Sequence, residues 1–175
     1  MSNQGRVLLF TGDGKGKTTA ALGMALRAVG HGMKVKVIQF IKSDSSTGEI
    51  AALQMLPGIE IIQTGCGFVP CADNIVFTDH RQAAKYGLNI ATEAIECGEY
   101  SLVVLDEICV AVAKRLLDEI DVIETVRKAG SGTIVALTGR GATANLINLA
   151  DTVTEMNNIR HGMKLGWPAQ EGVEY

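Results

Sequence analysis

The chain has 175 residues, of which 47% are apolar and only 5% aromatic, and its formal net charge is −3. That length suits one domain, residues 1–175, with a substantial core, and the composition suits an α/β interior of Val, Ile, Leu and Ala. The slight negative charge argues against nucleic acid or an anionic membrane as partner; with no apolar stretch of spanning length and no leader pattern in the first ten residues, a cytoplasmic protein is expected.

The first apolar run, Val7-Leu8-Leu9-Phe10, predicts a buried strand, and a helix is expected to open at Lys17. Between them lies Gly12-Asp13-Gly14-Lys15-Gly16-Lys17-Thr18-Thr19. A strand, a glycine-rich loop and a helix in that order form a phosphate cradle. The three glycines let the backbone curl so that several N–H groups aim at one anion. The helix N-terminus adds partial positive charge, and Lys15 and Lys17 add two full charges. The Thr18 hydroxyl falls where a phosphate-bound divalent ion takes an oxygen. Thr11 stands where the usual pattern has its leading glycine, so the loop is one residue short and a standard phosphoryl-transfer geometry is not implied. An ordinary βα turn is the plainer alternative; the Lys-Thr-Thr ending favours a nucleoside triphosphate site.

Further along, Gly30-His31-Gly32 is a stop signal, with His31 at the helix terminus, and Lys34 to Ile41 predicts a second strand. A short helix over Thr47 to Leu56 is closed by Pro57-Gly58, and Ile59 to Gln63 is a third strand. Thr64 to Phe77 is one long irregular stretch, of the kind that is usually functional. Its Cys66 and Cys71, with Asp73 and His80 beyond, raise a metal loop as a minor alternative, but reduced, ordinary thiols fit the four cysteines better. Ala84, Leu88, Ala91 and Ile95 form one stripe of a helix running from Thr78 to Gly98.

The strand from Ser101 to Leu105 ends in Asp106-Glu107, a carboxylate position suited to holding a phosphate-bound metal. A helix over Asp118 to Ala129 and a strand over Thr133 to Leu137 follow, then Arg140, placed to reach a triphosphate from the same sheet edge. A short helix ending at Ala150 and a last strand, Thr152 to Met156, complete the pattern; the tail after His161 carries no clear period. The alternation predicts a mostly parallel sheet with helices on both faces and ligands beyond its carboxyl edge.

These residues carry a family resemblance. Thr11 through Ala21, Arg27-Ala28-Val29-Gly30-His31-Gly32, Val37-Ile38-Gln39-Phe40-Ile41-Lys42 and Leu105-Asp106-Glu107 resemble the ATP:corrinoid adenosyltransferases of the P-loop type. So do Leu137 through Gly141, Ala150 through Met156 and the ending Ala169 through Tyr175. The resemblance spans nearly the whole chain, and the short phosphate loop is that family's own variant.

The resemblance implies a RecA-like P-loop domain, usually a homodimer, that moves the 5′-deoxyadenosyl group of ATP to the Co(I) of cobalamin, cobinamide or cobyrinic acid a,c-diamide and releases triphosphate. It implies ATP and corrinoid as substrates, a magnesium or manganese ion, and a flavoprotein as reductant. Gly12, Asp13, Gly14, Lys15, Gly16, Lys17, Thr18, Thr19 and Arg140 would bind ATP, with Lys15, Lys17 and Thr18 acting in the transfer and Thr18, Asp106 and Glu107 around the metal. Phe68 matches a bulky side chain that relatives place beneath the corrinoid. Better-studied members have tryptophan two residues further on where this chain has Pro70, so Val69, Pro70 and Trp167 are candidates to share the task. Some relatives carry a helical arm before the first strand; only a few residues precede Arg6 here, so a more open site is expected. Two other classes are weighed beside this one: a small-molecule kinase or ATPase, and a non-catalytic ATP-gated corrinoid binder.

Overall fold

The computed structural model describes residues 5–71 and 75–173. Within it, six strands form one all-parallel sheet: β1 (Val7–Thr11), β2 (Val35–Gln39), β3 (Ile59–Gln63), β4 (Leu102–Asp106), β5 (Ile134–Thr138) and β6 (Thr152–Glu155). They lie in the order β3-β2-β4-β5-β1-β6. The helices are α1 (Lys17–Gly30), α2 (Gly48–Gln54), α3 (Phe77–Glu96), α4 (Ile108–Ala113), α5 (Glu119–Arg127) and α6 (Ala144–Leu149), followed by a 3₁₀ turn at Gly162–Leu165.

The central strands are apolar at nearly every position because both of their faces are covered. Val35 and Val37 of β2, Leu102 and Val104 of β4 and Ala136 of β5 pack on the side holding α1 and α2. Ile38, Val103, Leu105, Val135 and Leu137 point the other way, onto α3, α4, α5 and α6. Ala21 and Ala25, four apart and fully buried, let α1 sit close on the sheet. The predicted α3 stripe, Ala84, Leu88, Ala91 and Ile95, is buried as expected.

The elements match the sequence reading in order and type, with two differences. The chain turns helical immediately after Glu107, forming α4, which was not anticipated; Ile108, Cys109, Ala111 and Val112 are six-residue helix positions with no room for a visible period. The tail beyond His161 contains the 3₁₀ turn, opened by His161 Nδ1 accepting from Met163 N at 3.2 Å. The parallel fold puts the ends of all six strands, and the loops that follow them, on one edge.

Candidate active site

The phosphate loop hangs between β1 and α1 on that edge. It is held from the side by the end of β6: Met156 N donates to Thr11 O at 2.9 Å, and Gly14 N donates to Met156 O at 2.6 Å. A Cβ at Gly12 or Gly14 would stand 2.5 or 2.7 Å from the Met156 carbonyl oxygen, so this approach excludes side chains. Gly16 has φ +105°, a left-handed conformation natural to glycine, and it turns the chain directly into α1.

Lys17 folds back across the loop. Its Nζ donates to Gly12 O at 2.8 Å and Gly14 O at 2.7 Å, and the residue is buried. Burial, then the charge of Arg140, pulls its pKa below the ordinary amine value; Glu107, Asp13 and Asp106 act in the opposite sense. Asp13, Lys15 and Thr19 are exposed on the loop and first turn. Arg140 is exposed on the loop after β5.

Asp106 is the buried centre of the edge. Oδ1 accepts from the Thr18 hydroxyl at 2.8 Å and the Thr138 hydroxyl at 2.7 Å. Oδ2 accepts from Gln39 Nε2 at 3.0 Å and faces Lys42 Nζ at 3.7 Å. Lys42 is held in turn by Glu49 at 2.8 Å. Burial works against the Lys42 charge, but Asp106 and Glu49 outweigh it and raise its pKa. Thr138 also accepts from Glu107 N at 2.9 Å, fixing Glu107 in a left-handed conformation at φ 62°. Burial, reinforced by the Asp106 charge, raises the Glu107 pKa, and the cations Lys17, Lys42 and Arg140 oppose it.

The structure thus gathers the phosphate loop, Lys17, Thr18, Asp106, Glu107 and Arg140 about one edge. Thr18, Asp106 and Glu107 bring a hydroxyl and two carboxylates together, hard oxygen groups that could hold a small divalent cation. Among the described residues no group of three or more His, Cys, Asp and Glu suits a metal. Cys66 and Cys71 are exposed free thiols, His80 is buried on α3, and Asp73 lies outside the described residues, so the metal-loop alternative gains nothing.

Phe68 stands 94% exposed on the loop after β3, whereas Val69 beside it is buried in the core and Pro70 is half-buried. Trp167 is 68% exposed and lies against Gly162, where a Cβ would meet its ring at 2.7 Å. The sequence reading missed Gln39, Gln63 and Thr138 as part of the site. The available signal was their position: each is a polar side chain at the last position of its strand, as Asp106 is.

Comparison with known proteins agrees with this edge. The family profile described as ATP:corrinoid adenosyltransferase BtuR/CobO/CobP matches residues 3–175. A corrinoid adenosyltransferase of Pseudomonas aeruginosa is 38% identical, covering 98% of this chain and 84% of its own. One from Escherichia coli K12 is 36% identical, covering 98% and 86%, and the corrinoid adenosyltransferase CobA of Salmonella typhimurium is also 36% identical over 98% and 86%. Among solved structures, the flagellar accessory protein FlaH of Methanocaldococcus jannaschii superposes with a TM-score of 0.60 at 12% identity, covering 87% of this chain and 71% of that one. That likeness concerns the fold alone, a parallel sheet flanked by helices. With a full-length profile match and relatives at this identity, the chain belongs to the ATP:corrinoid adenosyltransferase family.

Proposed function

We propose that the chain transfers the 5′-deoxyadenosyl group of ATP to the Co(I) of a corrinoid and releases triphosphate, in the formation or salvage of adenosylcobalamin. One observation carries the reading: in a member of this family, the phosphate loop is tied to the β4 carboxylate through the Thr18–Asp106 hydrogen bond. In the transfer a Co–C5′ bond forms, the C5′–O bond breaks, and its electron pair leaves with the triphosphate.

The chain's part is to hold and neutralise that leaving group. Loop N–H groups from Gly12 to Thr18, apart from the Gly14 N–H that Met156 O accepts, and the ammonium groups of Lys15 and Lys17 would bind the polyphosphate, with Arg140 as a further charge. Lys17 is supported by two loop carbonyls, so it is positioned before the charge develops. Thr18, Asp106 and Glu107 would hold a magnesium or manganese ion, which when bound supplies counter-charge to the phosphates. Holding the ribose carbon near cobalt supplies much of the remaining acceleration, and the reaction needs no protein nucleophile.

Phe68, with Val69, Pro70 and Trp167 as lesser candidates, would cover the lower face of the corrinoid and keep water from cobalt. Of the four, Phe68 and Trp167 expose enough apolar surface to meet a ligand. A cytoplasmic homodimer supplied with electrons by a flavoprotein belongs to the same reading. No helix among the described residues is long and apolar enough to cross a membrane.

Phosphorus NMR of ATP incubated with the protein and a reduced corrinoid tests the proposal. Triphosphate should accumulate only with Co(I) present. ADP and phosphate, or triphosphate without corrinoid, would reject it in favour of a kinase or ATPase; no turnover would favour an ATP-gated binder.

A further inference from the structure

The ends of β3, β2 and β4 stand in register, Gln63 beside Gln39 and Gln39 beside Asp106. Their side chains form a directed chain of hydrogen bonds. Gln63 Nε2 donates to Gln39 Oε1 at 3.0 Å, and Gln39 Nε2 donates to Asp106 Oδ2 at 3.0 Å. The direction follows from chemistry: a carboxylate accepts, so Gln39 shows it the NH₂ end and leaves its oxygen for Gln63. The second N–H of Gln63 goes to the main-chain carbonyl of Asp44, also at 3.0 Å.

The strip that starts at Gln39 also suspends the loop bearing Phe68. Thr64 N donates to Gln39 O and Gly67 N to Ile41 O, each at 2.9 Å. At Gly65 the two chains are so close that a Cβ would lie 2.1 Å from the Ile41 carbonyl carbon. Residues 39–44 are therefore pinned to the buried carboxylate of the phosphate site on one side and to the root of the Phe68 loop on the other.

We infer that Gln39 and Gln63 are positioning residues that couple occupation of the phosphate loop to the placement of the loop from Thr64 to Cys71. The inference rests on the reading of the site given above. A polyphosphate and its cation draw on Thr18 and Asp106, the groups at which the amide chain ends. Hydrogen-bonded amides in series polarise one another, so a change at Asp106 is felt along the chain through Gln39 to Gln63. A nucleotide that favours one setting of this chain favours one position of the Phe68 loop. Linkage then requires ATP and corrinoid to tighten each other by the same factor.

Exposed thiols provide a readout that needs no corrinoid. Cys66 and Cys71 flank Phe68, and Cys97 at the far end of α3 is an internal control. In the native protein, ATP with magnesium should slow labelling of Cys66 and Cys71 by about fivefold or more and leave Cys97 unchanged. Gln63→Met and Gln63→Glu keep side-chain length but remove the N–H donors; in both, labelling should become independent of ATP while the protein still binds ATP. Gln63 is only half-buried, so these variants should fold, and Gln39→Met gives a second break in the same chain. A merely structural role would shift labelling equally with and without ATP. Persistent ATP protection in these variants, or none in the native protein, overturns the relay. In a parallel titration, the factor by which a Co(II) corrinoid tightens ATP should fall toward one in the variants. If the native protein binds no corrinoid, the proposed function fails, and the thiol experiment still decides the relay.

Discussion

Thr18 and Asp106 meet at 2.8 Å although 88 positions separate them, so the first turn of α1 is fastened to the end of β4. The strand order makes this less obvious than it sounds, because β5 lies between β1 and β4. Thr138 at the end of β5 fills that gap by donating to the same carboxylate oxygen at 2.7 Å. Thr18, Thr138 and Gln39 all donate to the Asp106 carboxylate.

Asp106→Asn preserves the shape but turns an NH₂ group toward those donors. Leaving buried donors unpaired costs about 1–3 kcal/mol, which in a chain of this size lowers the melting temperature by about 2–12 °C. Turnover should fall much further than stability, because the Thr18 hydroxyl loses its anchor. Thermal melts and triphosphate release, measured on the same preparation, check both parts. A variant that melts and turns over as the native protein does would remove Asp106 from the site.

On the proposed reading, Lys17→Ala removes an ammonium group that would meet the leaving triphosphate. One charge-assisted contact is worth about 1.5–3 kcal/mol, or roughly 10- to 100-fold in rate, and a developing charge in a buried loop makes the upper end the expectation. The fold should survive, since the apolar core does not involve this side chain. Steady-state kinetics with preformed Co(I) corrinoid should show the loss in kcat. Near-native kcat would contradict the leaving-group argument.

Glu107 gives a pH-dependent test. Burial and Asp106 raise its pKa in the folded protein above the ordinary 4.5, so the fold binds more protons than the unfolded chain just above that pH. Stability therefore falls as pH rises from 4.5 through the raised value, where the carboxylate must ionise inside the site. Glu107→Gln lacks this penalty. Without nucleotide or metal its melting temperature should match the native protein near pH 4 and exceed it at neutral pH, while its protection by ATP and magnesium weakens. Melting curves across pH, with and without ligand, read both effects; a variant–native difference that ignores pH would contradict the assignment.

Much of this was legible in the residues. Glycine spacing with Lys17-Thr18 marks the phosphate loop because that backbone path tolerates few alternatives, as the contact of Gly12 and Gly14 with Met156 shows. Asp106 was visible because an acid closing a run such as Leu102-Val103-Val104-Leu105 has no place in a core without a task. Gln39 and Gln63 were not legible as partners: their pairing depends on β2 and β3 lying side by side in register, a fact of tertiary structure. The α4 helix was hidden for a related reason. Its six residues are all apolar, and a segment without a polar face shows no helical period.

The four cysteines should divide three to one. Cys66, Cys71 and Cys97 are exposed, whereas Cys109 is enclosed in α4, where burial and then the Glu107 charge push its thiol up to about 12. Only the thiolate reacts at a useful rate. A thiol reagent at neutral pH should therefore consume three equivalents in the native protein and a fourth only in denaturant. Mass spectrometry that found Cys109 modified at the pace of Cys97 would show that the segment after β4 opens readily.

Phe68 separates ligand binding from folding most cleanly. Its ring is 94% exposed, so Phe68→Ala removes almost no buried area and should change stability by less than about 0.5 kcal/mol. The next residue, Val69, is buried in the core and holds the loop in place whichever side chain precedes it. Function should respond differently. A ring that keeps water or the lower base from cobalt matters most while Co(II) is being reduced, because a four-coordinate Co(II) accepts an electron more readily. The variant should lose most of its activity when started from Co(II) corrinoid and a reductant, and much less when Co(I) is supplied ready-made. Equal losses in the two assays would take Phe68 away from the lower face, and a large drop in melting temperature would show that the ring packs within the loop.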